Sequence, residues 1–145
     1  MKTRAIEENE SLLREYEMKR DMDLVRLILL EIEDKYRSTA IYDLVIDGYD
    51  TETVAYHCKI LYDAGLISDY KAQYADDEIY IFGVGSLTWD GNDFLEKIRD
   101  DSQWKKVKET ITQKGLPMVI ETIKSVTNAI IAATVEGVTK SILKG

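Results

Sequence analysis

His57 and Cys58 stand side by side, and an imidazole next to a thiol is the raw material of a nucleophile pair or of half a zinc site. Neighbours on a helix point about 100° apart, and the sequence holds no second Cys or His to complete a tetrahedral set. Both are therefore expected as core side chains, a small apolar thiol beside a partly buried imidazole. Asp43, Asp47, Asp50 and Glu52 gather oxygens as a calcium loop would. Such a loop needs oxygens at alternate positions and Gly at the sixth, whereas Gly48 directly follows Asp47, so a turn and a helix start are expected instead. Gly83-Val84-Gly85-Ser86 lacks the Lys of a phosphate loop and reads as a bend or bulge. Asp100 and Asp101 are consecutive, with nothing to shift their ionisation. The sequence thus offers no catalytic residue, metal site or cofactor, and the chain is expected not to be an enzyme.

Binding chemistry is better represented. Between positions 97 and 114, Lys97, Arg99, Lys105, Lys106, Lys108 and Lys114 outnumber Asp100, Asp101 and Glu109, a local excess of cations suited to phosphates. The whole chain opposes that, with 19 Lys and Arg against 27 Asp and Glu for a formal net charge of -8. Nine tyrosines, among them Tyr70, Tyr74 and Tyr80 close together, pair an apolar ring with a polar tip and suit either an interface or half-exposed strands.

The elements that must position these groups follow from periodicity. From Asp21 to about Tyr36, Leu24, Val25, Ile28, Leu29 and Ile32 recur at helical spacing behind an Asp cap. Ile41 to Ile46 reads as a short strand ending at the turn pair Asp47-Gly48. Asp50 and Thr51 start a second helix with Val54, His57, Cys58 and Leu61 inward, closed by Gly65. Its outward stripe is Glu52, Tyr56, Lys59 and Asp63, with Ala55 beside it. Tyr70 to Phe82, interrupted by Asp76-Asp77-Glu78, reads as a hairpin. Thr88 caps one further helix carrying Phe94, Leu95, Ile98, Trp104, Val107 and Ile111 to Lys114-Gly115.

A long last helix runs from about Pro117 to Leu143, with Val119, Ile123, Val126, Ile130, Val138 and Ile142 along one side and Ile120, Ile131 and Val135 widening the stripe. A stripe this apolar is expected to bury against a second chain, making a homodimer, or to wrap back over its own core. Ser125 to Val135, the longest uncharged run there, falls far short of the roughly 20 residues a membrane span needs. The start, Met1-Lys2-Thr3-Arg4, goes directly into acids and is read as no secretory signal; with one Cys, the expected compartment is the cytoplasm. The leading residues 1–17 are acidic and read as a frayed or partner-dependent helix.

Val54 to Ile67, ending in Leu61-Tyr62-Asp63-Ala64-Gly65-Leu66-Ile67, resembles the third helix of bacterial winged-helix regulators running into the wing. Leu87-Thr88-Trp89-Asp90-Gly91 with Phe94-Leu95 resembles the start of the helix after that wing. More closely, Met18-Lys19-Arg20-Asp21 with Leu29-Leu30-Glu31-Ile32-Glu33, Val54-Ala55-Tyr56-His57, and Leu87 to Leu95 with Ile98-Arg99-Asp100-Asp101 is similar to an uncharacterised bacterial and prophage family of unknown function, over about 18–115. A standard winged helix has a separate second helix before the recognition helix, whereas residues 37–49 have room only for a strand and a turn. The expectation is an α+β, winged-helix-like domain at 18–115 (helix, strand, helix, hairpin, helix), an N-terminal extension at 1–17 and a dimerisation helix at 116–145. The resemblance implies a prophage-type DNA-binding regulator acting as a homodimer, with Tyr56 and Lys59 nearest the groove and Lys105, Lys106 and Lys108 on phosphates. The alternative is an adaptor that binds a protein through the wing tyrosines and acidic surface, without DNA.

Overall fold

The computed structural model describes residues 18–144; the acidic segment 1–17 lies outside the described residues. Asp21 caps the first helix, its carboxylate accepting the N–H groups of Asp23 at 2.9 Å and Leu24 at 3.3 Å. That helix, α1, spans Met22–Lys35 and buries Leu24, Val25, Ile28, Leu29 and Ile32, the residues its 3.6-residue period selects.

The strand expected over 41–46 is shorter. β1 is Ile41–Tyr42, because Asp43 takes a left-handed conformation (φ 52°) and turns the chain out of the ladder. Its carboxylate still accepts the Phe82 N–H at 3.0 Å and its own N–H reaches the Phe82 carbonyl at 2.8 Å. Leu44 and Ile46 remain buried, so the alternation read as a strand serves the core without pairing. Asp50 then accepts the Thr53 N–H at 2.7 Å and opens α2, Thr51–Asp63, which ends at Gly65 (φ 77°) as expected.

The ribbon is present. β2, Tyr70–Ala75, and β3, Glu78–Val84, pair antiparallel, and β1 adds to the other edge of β3, giving the order β1-β3-β2. The bend or bulge expected at positions 83–86 is not there. Pairing continues through them, with Ser68 N–H to the Ser86 carbonyl at 2.8 Å and Gly85 N–H to the Asp69 carbonyl at 2.9 Å. Gly85 is required by this close approach, since a Cβ would run into Ser68 Oγ and sit 3.0 Å from the Asp69 nitrogen. The irregularity lies instead between Gln73 and Tyr74, where Tyr74 pairs with Ile79 and Tyr80 is the extra residue. α1 and α2 pack together, and α2 packs on β2 and β3.

Two compact units divide the chain, one up to Leu87 and one from Thr88. In the second, Thr88 Oγ1 accepts the Gly91 N–H at 3.0 Å and opens α3, Trp89–Ile98. The single helix expected from there to Lys114 is two helices. Asp100 is extended (ψ 126°) and accepts the Gln103 N–H at 2.8 Å, which caps a separate α4, Asp101–Gln113. The last helix, α5, spans Ile120–Lys144, so Pro117 precedes it instead of lying in its first turn. Phe94, Leu95 and Ile98 of α3, Trp104, Val107 and Ile111 of α4 and Ile123 of α5 form the buried side of this unit. The protein is thus mixed α+β, with five helices and one three-stranded antiparallel sheet among the described residues. No helix among them is long and apolar enough to cross a membrane.

Candidate functional site

On α2, positions 54, 57, 58 and 61 face inward as the sequence requires, and all four are buried. His57 is 0 % exposed and both ring nitrogens are used: the Asp21 N–H donates to Nε2 at 2.8 Å, and Nδ1 lies 2.8 Å from the Thr53 carbonyl. An Nε2 that accepts fixes the tautomer, with the proton on Nδ1 directed at that carbonyl. The ring ties the start of α1 to the first turn of α2, a structural duty. Cys58 is buried as well, and burial pushes its thiol up to about 12, far from nucleophilic. Among the described residues, no group of three or more His, Cys, Asp or Glu could hold a metal ion. Ala55, expected beside the outward stripe, is fully buried.

The outward stripe is not an open face. Glu52, Tyr56 and Lys59, one helical row, form one wall of a cleft of about 170 Å³. The hairpin supplies the other wall with Tyr70, Tyr74, Asp77 and Ile79, and Met18 borders it. Tyr70 and Tyr74 share a strand face, and the bulge sets Ile79, in place of Tyr80, opposite Tyr74. Tyr70 packs its ring 6.4 Å from that of Phe82, and its hydroxyl, hydrogen-bonded to Tyr74, is driven upward in pKa by burial first and by Tyr74 second. It stays a neutral phenol.

Asp77 reaches the cleft from a two-residue turn. Ala75 pairs with Glu78, and Asp76 (φ 52°) and Asp77 (φ 64°) between them are both left-handed. Such a turn favours Asn-Gly, so a carboxylate-bearing residue in its second position costs roughly 1 kcal/mol or more relative to Gly. Lys59 is the one cation of the lining, and its ammonium lies 3.6 Å from Asp63, one turn on.

The expected DNA contacts fall into two groups on different units. Tyr56 and Lys59 belong to the cleft just described. Lys105 and Lys108 border one groove of the second unit with Glu109 and Met118, and Lys106 borders another with Lys114 and the α5 residues Val126, Ala129 and Ile130. Lys108 Nζ stands 5.5 Å from the centroid of the Trp104 ring.

The α5 stripe also divides. Ile123 is wholly buried in its own chain, and Val119, Val126 and Ile130 are half-buried, so Ile123 belongs to the core and not to a dimer face. Val138 and Ile142 are exposed at 55 % and 72 %, as are Ile131 and Val135 at 40 % and 58 %. The reason is geometric. Steps of four drift about 40° around a helix, so a stripe followed over six turns leaves the buried side.

Sequence reading named the tyrosines but missed Glu52 and Asp77 as cleft walls. The available signal was the Asp-Asp pair in a hairpin turn where Gly is the economical residue.

Residues 19–117 match the family model described as Hypothetical protein (DUF2513). An uncharacterised protein of Haemophilus influenzae (strain ATCC 51907 / DSM 11121 / KW20 / Rd) is 41% identical over 118 residues, 79% of this chain and 97% of that protein. No solved structure matches. The chain belongs to the DUF2513 family.

Proposed function

We propose that this family member is a winged-helix-like interaction module that binds a protein partner through the α2–hairpin cleft and works as a homodimer in the cytoplasm. The observation that carries the reading is the cleft itself: three tyrosines and two carboxylates converge where a DNA reader would offer cations. The order α1, β1, α2, β2–β3 supports the winged-helix assignment, and one buried thiol suits a reducing compartment. Charge agrees. Residues up to Leu87 hold 19 Asp and Glu against 10 Lys and Arg, and those from Thr88 hold 8 against 9, together the chain's 27 and 19. The first unit would repel a phosphate backbone.

One observation favours a second reading, a prophage-type DNA-binding regulator: Lys105 and Lys106 are exposed on α4 and Lys108 is half-exposed beside Trp104, in the unit of opposite balance. A photoreactive residue placed at Tyr74 in the native host separates the two. The interaction reading expects an adduct that nuclease leaves unchanged and that contains peptides of a second protein; a nuclease-sensitive adduct from that position overturns it. For the second reading, retention of duplex DNA must fall steeply with salt and be lost on K105A/K106A/K108A.

A further inference from the structure

We propose that the cleft is a socket for one arginine side chain of the partner protein. The proposal rests on the interaction-module reading and adds the chemical group that is recognised.

Size sets the scale. Pockets for drug-sized ligands span roughly 300–1,000 Å³. At about 170 Å³ this cleft has room for one long side chain and not for a helix. Its chemistry is that of a cation receptor. Tyr56 comes from the helix wall and Tyr70 and Tyr74 from the strand wall, and a ring face attracts a cation lying over it. Glu52 and Asp77 add a carboxylate from each wall, and the one competing ammonium, that of Lys59, is drawn toward Asp63. Between the two biological cations, a planar guanidinium stacks on aromatic rings and forks onto carboxylates, and it gives up water more readily than an ammonium does.

The turn supplies a direct test. Asp77 sits at φ 64°, in the turn position that suits glycine best, and it lines the cleft. Removing that side chain relieves the turn and takes away one of the two acidic groups of the socket in one substitution.

The test is a titration of the full chain with N-acetyl-Gly-Arg-Gly-amide, followed by NMR of the tyrosine ring protons, against the lysine counterpart. Expected are saturable shifts with a millimolar Kd, at least threefold weaker binding of the lysine peptide, and binding weakened about tenfold in Asp77→Gly and in Tyr74→Ala. Asp77→Gly must at the same time melt roughly 2–5 °C above the wild type, which shows that the lost binding is not lost folding. Tyr74 is 63 % exposed, so its truncation leaves the core intact. The absence of saturable shifts, equal binding of lysine, or unchanged binding by Asp77→Gly overturns the proposal. If the arginine peptide fails while a nuclease-resistant adduct with a second protein still forms at position 74, the arginine assignment falls and the interaction module stands.

Discussion

Single residues in this chain mostly hold elements together by capping. Asp50 has its carboxyl held below the ordinary value by hydrogen bonding to Thr53, first through the side chain and then through the backbone. A folded-state pKa below the unfolded one means that ionised Asp50 stabilises the fold at pH above the ordinary carboxylate value, roughly 4, and that this is lost as pH falls below that value through the lowered folded-state one. Asn caps almost as well without the charge. Asp50→Asn is therefore expected to melt below the wild type at pH 7, with the gap narrowing once the pH falls below about 4. A gap that stays constant with pH, in thermal melts read by circular dichroism, would refute this role. His57 illustrates the limit of reading such residues from sequence. Its position on the inner face of α2 is visible in the periodicity, but its partner is the Asp21 backbone N–H, 36 residues away, and no local pattern encodes that bond.

Elements were legible where one physical signal dominated. The helices α1 and α2, with Asp21 and Asp50 as caps and Gly65 as terminator, follow from period and cap chemistry. The break between α3 and α4 was less plain: the step of six from Ile98 to Trp104 would put them about 120° apart on one continuous helix, yet Asp100, an ordinary helix-surface residue by type, gives no strong stop signal although it caps a new start. The extent of the ribbon hid for a related reason: a Gly-Val-Gly run looks like a breaker, yet Gly85 is there to let two backbones approach. Gly85→Ala is expected to lower stability by about 1–3 kcal/mol in urea melts. The double variant with Ser68→Ala should recover only part of that, since the Asp69 nitrogen still stands 3.0 Å from the new Cβ. Full recovery would mean that the hydroxyl alone demands glycine. The cleft needed the three-dimensional pairing, because its two walls come from segments some twenty residues apart and a bulge decides that Ile79 faces it.

At the scale of the molecule, self-association is the property most open to direct measurement. Ile131, Val135, Val138 and Ile142 step by four, three and four, the spacing of a coiled-coil seam. The positions flanking that seam, Ala132, Thr134, Thr139 and Ser141, are small and uncharged, and Glu136 and Lys140 pair with each other at 3.1 Å on another side of the helix. Nothing on the seam repels a second copy. Light scattering is expected to give twice the chain mass for the wild type and a single chain for V135D/V138D, whose circular dichroism should be unchanged because both positions are exposed. A wild type that stays monomeric at high concentration would end the dimer proposal.

The sealed position of Cys58 has a practical corollary for all these measurements. A sulfhydryl shut in the interior and reluctant to ionise will be passed over by maleimide and methanethiosulfonate reagents. A cysteine introduced at an outer position such as Tyr80 or Val138 then becomes the sole handle for a dye or nitroxide, so the native chain needs no prior thiol removal before spectroscopy.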